Sequence, residues 1–288
     1  MNFALPRIES APVAARKSIA LVGGHSGAEV VLITDDSDTF VRKTAHTPFG
    51  NNRLLQQATK QRLFAAQGLP FPRVRHNGFD GGRAFFEMEY VPARTLGDLV
   101  RSLAPFDSAA ILSAIAELIA LFRTNETDAL PKALFHDKIS DIAQKVQPSS
   151  LLGRVAARLH TLDWSGIPAS SSHGDLTFEN ILIAPDGRIV FIDCDEPFAS
   201  SWQLDLGKLY QDAAGFWCLR SLDKPSIGAA ERLTQLASLF TTIAPEIAPQ
   251  RLRQFAALHL LRTVPYSRSD ETVGFALRAA ARILKIAP

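Results

Sequence analysis

The apolar residues of this chain change their period part-way along it. Up to about residue 92 they fall in short runs of the kind strands bury. "SIALVGG" and "AEVVLIT" are rich in β-branched residues on either side of a glycine turn, and "TFVRK" follows the turn cluster "DDSD". "NNRLLQQATKQRLFAAQG" sets good helix formers between an Asn start and a Gly68 stop, which predicts a helix. "LPFPRV" is extended, because each proline disfavours helix in the residue before it. "RAFFEMEYV", after the "DGG" turn, reads as a buried strand.

From Thr95 onward "TLGDLVRSL", "DSAAILSAIAELIALFRT" and "LLGRVAARLHTL" place apolar residues at helical spacing. One segment interrupts them: "NILIA", the turn "PDG" and "RIVFID" predict a β-hairpin. Four further helical segments follow, "QLDLGKLYQDAAGFWCLRSL", "AAERLTQLASLFTTIA", "QRLRQFAALHLLRTV" and "ETVGFALRAAARILKI". The pattern implies an α+β protein. A small β-rich lobe covers residues 1–92, a hinge lies near Glu89 to Ala93, and a larger helical lobe over residues 93–288 carries the hairpin.

Composition narrows the class. The 288 residues are 47% hydrophobic and 21% charged, enough for a sizeable core and too apolar for global disorder. Lys and Arg total 31 against 29 Asp and Glu, a formal charge of +2, which gives no support to nucleic-acid binding. Cys194 and Cys218 are too few for a disulfide framework and lack zinc-ligand spacing, so a reducing cytoplasm is expected. The N-terminal stretch has no long apolar core of the signal-peptide kind. "AAILSAIAELIALF" is broken by Glu117 and too short to cross a bilayer, so no membrane role is expected.

Candidate chemistry concentrates on the hairpin. "HGDLTFEN" gives His173, Asp175 and Asn180 as H-x-D-x-x-x-x-N, and Asp193 follows at the end of "RIVFID". Asn180 and Asp193 are hard oxygen donors of the sort Mg²⁺ prefers, with phosphate oxygens and water to complete its shell. Asp175, ahead of the first hairpin strand, is placed to accept a hydroxyl proton, and His173 braces the loop. One such aspartate alone reads equally as a turn residue, as Asp186 in "APDGR" does. Spacing, order and the intervening hairpin together favour phosphoryl-transfer chemistry. Glu179 reads as solvent-facing.

"SHGDLTFENILIAPDGRIVFIDCDEPFASSWQLDLGKLYQD" resembles the kinase-like phosphotransferases of the aminoglycoside phosphotransferase and choline kinase superfamily. His173-Gly174-Asp175, Asn180, Ile192-Asp193 and Asp205-Leu206-Gly207 stand in that family's order. The resemblance implies a protein-kinase-like two-lobed fold and a small-molecule kinase using ATP and Mg²⁺. It makes Asp175 the catalytic base, Asn180 and Asp193 the metal ligands, and Asp205 a support for the catalytic loop.

The first lobe is consistent with that implication. Gly23, Gly24 and Ser26 in "LVGGHSGAEVVL" would bring backbone N–H groups to phosphate, although a plain glycine turn would look the same. Lys43 ends "TFVRK", where a phosphate-pairing lysine belongs, and alternation sends Arg42 to the opposite face. The family's usual glutamate partner for that lysine falls on Gln57, with Gln56 beside it, and an amide brings no charge. "FFEMEYVP" resembles the adenine-holding hinge, with Met88 behind the base and Glu89 and Val91 offering backbone groups; a core strand with one methionine reads equally well.

The acceptor expected is a small hydroxylated metabolite: a sugar, amino sugar or amino alcohol. From Phe216 to Pro288 ten Lys and Arg face five Asp and Glu, which makes a polycationic antibiotic a poor candidate. Asp195 and Glu196, past the metal aspartate, could shape a local acidic site. Trp202, Tyr210 and Trp217 could stack on a substrate or pack between helices, and Lys208 and His259 read as surface and core residues. The alternative, motivated by Gln57, is a nucleotide-binding regulator with weak or no catalysis. No H-R-D loop of a protein kinase is present.

Overall fold

A computed structural model describes residues 17–21, 28–35, 38–267 and 269–286. The chain divides into two compact units: Met1–Leu63 with Pro72–Val91, and Phe64–Phe71 with Pro92–Pro288.

The β-branched runs of the first unit form strands β1 (Lys17–Ala20), β2 (Ala28–Asp35) and β3 (Asp38–Ala45). Helix α1 (Asn51–Ala66) follows, then β4 (Val74–Asp80) and β5 (Arg83–Glu89). They make one antiparallel five-stranded sheet in the order β1-β2-β3-β5-β4. Alternation along β3 divides its side chains between two faces. Arg42 pairs with Glu87 of the opposite strand at 2.6 Å and lies 4.4 Å from the centre of the Phe85 ring. On the other face Val41 and Ala45 pack with Phe86, Met88, and Leu54 and Ala58 of α1. Lys43 lies between Val41 and Ala45 on this covered face.

In the second unit Arg94–Thr95 is the short strand β6, and Thr95 caps α2 (Leu96–Arg101), its hydroxyl accepting from the Asp98 N–H at 3.0 Å. Helices α3 (Ser108–Arg123), α4 (Lys132–Lys145) and α5 (Ser150–His160) come next. The predicted hairpin is β7 (Ile181–Ile183) and β8 (Ile189–Phe191), joined to β6 in the order β6-β7-β8. Helices α6 (Trp202–Gly215), α7 (Ile227–Phe240), α8 (Pro249–Thr263) and α9 (Asp270–Ile283) complete the unit. Its core includes Phe135 stacked on Trp164 at 4.9 Å, with Phe255 of α8 beyond it.

Three elements depart from the sequence pattern. β4 is an edge strand in which only Val74 and Phe79, of its apolar positions, interrupt a polar and mostly exposed run, so it gives no alternation to read. α4 starts after Pro131 and mixes His136, Asp137, Lys138 and Asp141 around its buried Phe135, Ile139 and Ile142. α6 stops at Gly215, because Phe216 takes a left-handed conformation with φ 59° and the chain turns into a 3-10 segment, Trp217–Leu219. The residue in the left-handed position after Gly215 is Phe216, not a glycine, so the sequence does not mark the stop there.

Candidate active site

The loop from His173 to Asn180 is held from behind by the helix that follows the hairpin. Asp205, in the first turn of α6 and 1% exposed, accepts the His173 N–H through Oδ2 and the Gly174 N–H through Oδ1, at 2.5 and 2.9 Å. Two turns on, Oδ2 of the fully buried Asp212 accepts the Phe178 N–H at 2.8 Å. Between them Lys208 reaches Asp175 itself, Nζ to Oδ1 at 2.9 Å. Positions 205, 208 and 212 form one stripe of a 3.6-residue helix. A single face of α6 thus serves the whole loop with two acceptors and one cation.

Within the loop the Asp175 N–H points at His173 Nδ1 at 3.3 Å, and the buried His173 ring lies 5.7 Å from that of Phe71. The Asn180 side-chain nitrogen donates to the Asp175 carbonyl at 2.7 Å and to its Oδ2 at 3.1 Å. The Asn180 carbonyl in turn accepts the Ile192 N–H at 3.0 Å, tying the loop to the residue before Asp193. Asp193 has φ 64°, a left-handed conformation that Asp tolerates better than most residues and that re-aims the chain after β8. Asp195 donates its N–H to the His173 carbonyl at 2.8 Å. The structure therefore ties Asp175, Asn180 and Asp195 into one hydrogen-bonded loop region, with Asp193 next to the bonded Ile192 and Glu196 exposed.

Charge in this group is balanced locally. Burial works against the ionised form of Asp175, but Lys208 outweighs it, with His173 and Arg262 adding to the effect, and the carboxyl stays below the ordinary range. Asp212 goes the other way: burial dominates, the Phe178 N–H offsets it only in part, and its pKa rises from 3.8 to about 7. The folded state thus keeps a proton that the unfolded chain releases above pH 3.8. Stability contributed by this group is full below that value, falls as pH rises towards about 7, and is level beyond it. Asp212→Asn keeps an oxygen for the Phe178 N–H and buries no charge. Its thermal midpoint should gain on that of the wild type through this window, as melts at a series of pH values will show.

The hard oxygen donors suit Mg²⁺. The Asn180 amide nitrogen is committed to Asp175, and nothing among the described residues donates to its Oδ1. An amide oxygen and one carboxylate need phosphate and water oxygens to complete an octahedron. No group of three or more His, Cys, Asp or Glu placed to hold a metal ion by themselves occurs among the described residues.

In the first unit, Lys43 is 1% exposed and donates to Gln57 Oε1 at 3.1 Å, the amide partner counted from the sequence. Met88 is buried, its sulfur 3.3 Å from the Gln61 side-chain nitrogen. Glu89 ends β5, its N–H donating to the Arg73 carbonyl and its carboxylate pairing with Arg73 at 3.0 Å; half-buried Val91 follows. Gly23, Gly24 and Ser26 lie outside the described residues.

For some residues the structure adds contacts that the sequence did not show. Trp202 is 2% exposed, donates to Glu126 at 2.5 Å and carries Arg123 over its ring at 4.9 Å, an arrangement of packing. Glu179 is tied into the loop's surroundings by Arg101 at 2.5 Å and Thr95 at 3.2 Å. Lys208 is 12% exposed and paired, not a surface lysine. The signal for it was the 205/208/212 spacing, a polar stripe on a helix read only for its apolar one.

Fold and site together define a kinase-like, two-lobed α+β protein built around a loop of the H-x-D-x-x-x-x-N type. The chain belongs to the phosphotransferase enzyme family, whose family model matches residues 18–237. Among solved structures it is similar to the choline kinase LicA from Streptococcus pneumoniae, with TM-score 0.61 and 17% identity over 94% of each chain. It is also similar to an ethanolamine kinase from Plasmodium vivax, with TM-score 0.58 and 12% identity over 97% of this chain and 84% of that one. A third is the aminoglycoside phosphotransferase APH(3'')-Id from Streptomyces rimosus, with TM-score 0.56 and 19% identity over 83% and 93%. LicA has been solved with AMP, and the Streptomyces protein with ADP and streptomycin. No curated protein sequence matches the chain. No helix among the described residues is long and apolar enough to cross a membrane.

Proposed function

We propose that the protein is an ATP- and Mg²⁺-dependent phosphotransferase that moves the γ-phosphate of ATP to a hydroxyl of a small metabolite, of the sugar, amino sugar or amino alcohol class. The observation that carries this reading is the Asp175 carboxylate, fixed by Asn180 and Lys208 on a loop that α6 braces at three backbone N–H groups. The nucleotide complexes of LicA and the Streptomyces protein support a nucleotide site.

In this reading the acceptor oxygen attacks the γ-phosphorus, the bond to the bridging oxygen breaks towards ADP, and the hydroxyl proton passes to Asp175. Asn180 and Asp193 hold Mg²⁺, which when bound supplies positive charge to the phosphate oxygens. Lys43 pairs with phosphate, Gly23, Gly24 and Ser26 approach it, and Met88, Glu89 and Val91 take the base. Asp195 and Glu196 border the acceptor. The reaction is placed in the cytoplasm, on a small-molecule partner.

One observation favours a second reading, a nucleotide-binding regulator: Gln57 holds Lys43 through a neutral amide where a carboxylate would form an ion pair. A panel of hydroxylated metabolites, read by ADP release alongside Mg-ATP binding, separates the two. The phosphotransferase reading expects turnover with at least one acceptor; binding without any turnover overturns it in favour of the regulator.

A further inference from the structure

The phosphotransferase reading uses Asp175 but leaves unexplained the cation that sits on it. Lys208 comes from α6, well after the loop in sequence, and places Nζ 2.9 Å from Asp175 Oδ1. Its side chain is 12% exposed while that of Asp175 is 43% exposed, so the pair is covered on the lysine side and open on the carboxylate side. Among the described residues Asp175 is the only hydrogen-bond partner of the ammonium, which has three N–H donors. Two donors therefore have no acceptor among the described residues.

The loop does not need this lysine as a brace. Asp205 takes the N–H groups of His173 and Gly174, Asp212 takes that of Phe178, and Asn180 ties down the Asp175 carbonyl and Oδ2. The other cation whose field reaches Asp175 is Arg262. That residue is engaged elsewhere: Nη1 lies 3.0 Å from His259 Nδ1, and the guanidinium stacks 4.6 Å over Phe198. His173 is fixed in the loop, with its ring on Phe71. Among the described residues Lys208, on a flexible four-carbon stem, is the one cation next to Asp175 that can turn without dismantling other contacts.

We infer that Lys208 is a catalytic residue of this enzyme, an ammonium that leaves Asp175 for the transferring phosphoryl group as the reaction proceeds. The inference rests on the phosphotransferase reading. In the resting site Lys208 and Asp175 neutralise each other. When the nucleotide's terminal phosphate arrives, its greater charge draws the ammonium, and Asp175 Oδ1 is released to face the acceptor hydroxyl. The acceptor oxygen then bonds to the γ-phosphorus, and the bond to the bridging oxygen breaks with its electron pair on ADP. The hydroxyl proton goes to Asp175. Lys208 contributes only hydrogen bonds and charge to the equatorial oxygens, where negative charge is spread at the transition state.

Binding of a planar phosphoryl mimic tests this without knowledge of the acceptor. Affinities for Mg-ADP alone and for Mg-ADP with aluminium fluoride are measured by calorimetry on the wild type, Lys208→Met and Lys208→Arg. Lys208→Met should weaken the aluminium fluoride complex by about 100-fold, the cost of removing one transition-state donor, and leave Mg-ADP affinity unchanged. Lys208→Arg should recover most of the loss. Equal affinities of Lys208→Met and wild type for both ligands overturn the inference and leave the phosphotransferase reading standing. So does an equal loss for both ligands, which marks a structural lysine. A wild-type protein that binds no Mg-ADP overturns the phosphotransferase reading itself, and this inference with it.

Discussion

Asp175→Asn lowers kcat by about 10³-fold or more, in the range expected for loss of a general base, and leaves Mg-ATP affinity close to that of the wild type. The expectation follows from what surrounds the side chain. Both carboxylate oxygens are used: Oδ1 by Lys208 at 2.9 Å and Oδ2 by Asn180 at 3.1 Å. An amide has one acceptor oxygen and one donor nitrogen, so it can satisfy only one of those two donors. The charged donor wins, since a charge-assisted hydrogen bond is roughly twice as strong as a neutral one. The new NH₂ then faces the Asn180 nitrogen, yet Asn180 stays anchored by the Asp175 backbone carbonyl at 2.7 Å. The proposed metal-binding side chain therefore stays in place while proton acceptance is lost. Steady-state turnover with the acceptor found by ADP release, alongside nucleotide titration, checks both halves. Retained turnover removes Asp175 from the base role. Loss of nucleotide binding would mean that Asn180 had moved with it.

How much of this was legible in the sequence depends on the range of each interaction. The strands β2, β3 and β5 and the hairpin β7–β8 announced themselves by β-branched runs and turn residues, which are local signals. The order of Asp175, Asn180 and Asp193 is local too, and so was the count that placed Gln57 at Lys43. Lys208 was not legible in the same way. Its partner lies 33 positions earlier, and periodicity marks the stripe of a helix that meets the core, not a polar stripe turned to a loop. The partner of Glu179 was missed for the same reason, Arg101 being 78 residues away. For Trp202 the sequence left stacking on a ligand and packing between helices open, and its bond to Glu126 and the Arg123 over its ring lie too far along the chain to be read locally.

The H-G-D pattern contains a glycine that the structure explains, and its replacement is the other large effect. Gly174 has φ +90°, and a Cβ added there would lie 2.2 Å from the Asp195 carbonyl oxygen and 2.9 Å from its carbon. These are backbone atoms and cannot turn aside. Room for a methyl group requires the two chain segments to part, which breaks the Asp195 N–H to His173 carbonyl bond of 2.8 Å. It also pulls the Gly174 N–H off Asp205 and carries Asp175 out of place. Gly174→Ala should cost about 3 kcal/mol of stability or more, combining left-handed strain with a clash that backbone must absorb. At this size that is a fall of roughly 6–12 °C in thermal midpoint. A natural control isolates the strain. Gly187, in the turn between β7 and β8, has φ +84° but nothing within 4 Å of an added Cβ. Gly187→Ala therefore carries the conformational cost alone, about 1 kcal/mol, and should leave turnover unchanged. Similar losses in the two variants would mean that the contact between Gly174 and Asp195 is looser than the geometry indicates. A much larger loss in Gly174→Ala, with turnover lost as well, identifies the close backbone approach as what sets Asp175 in position.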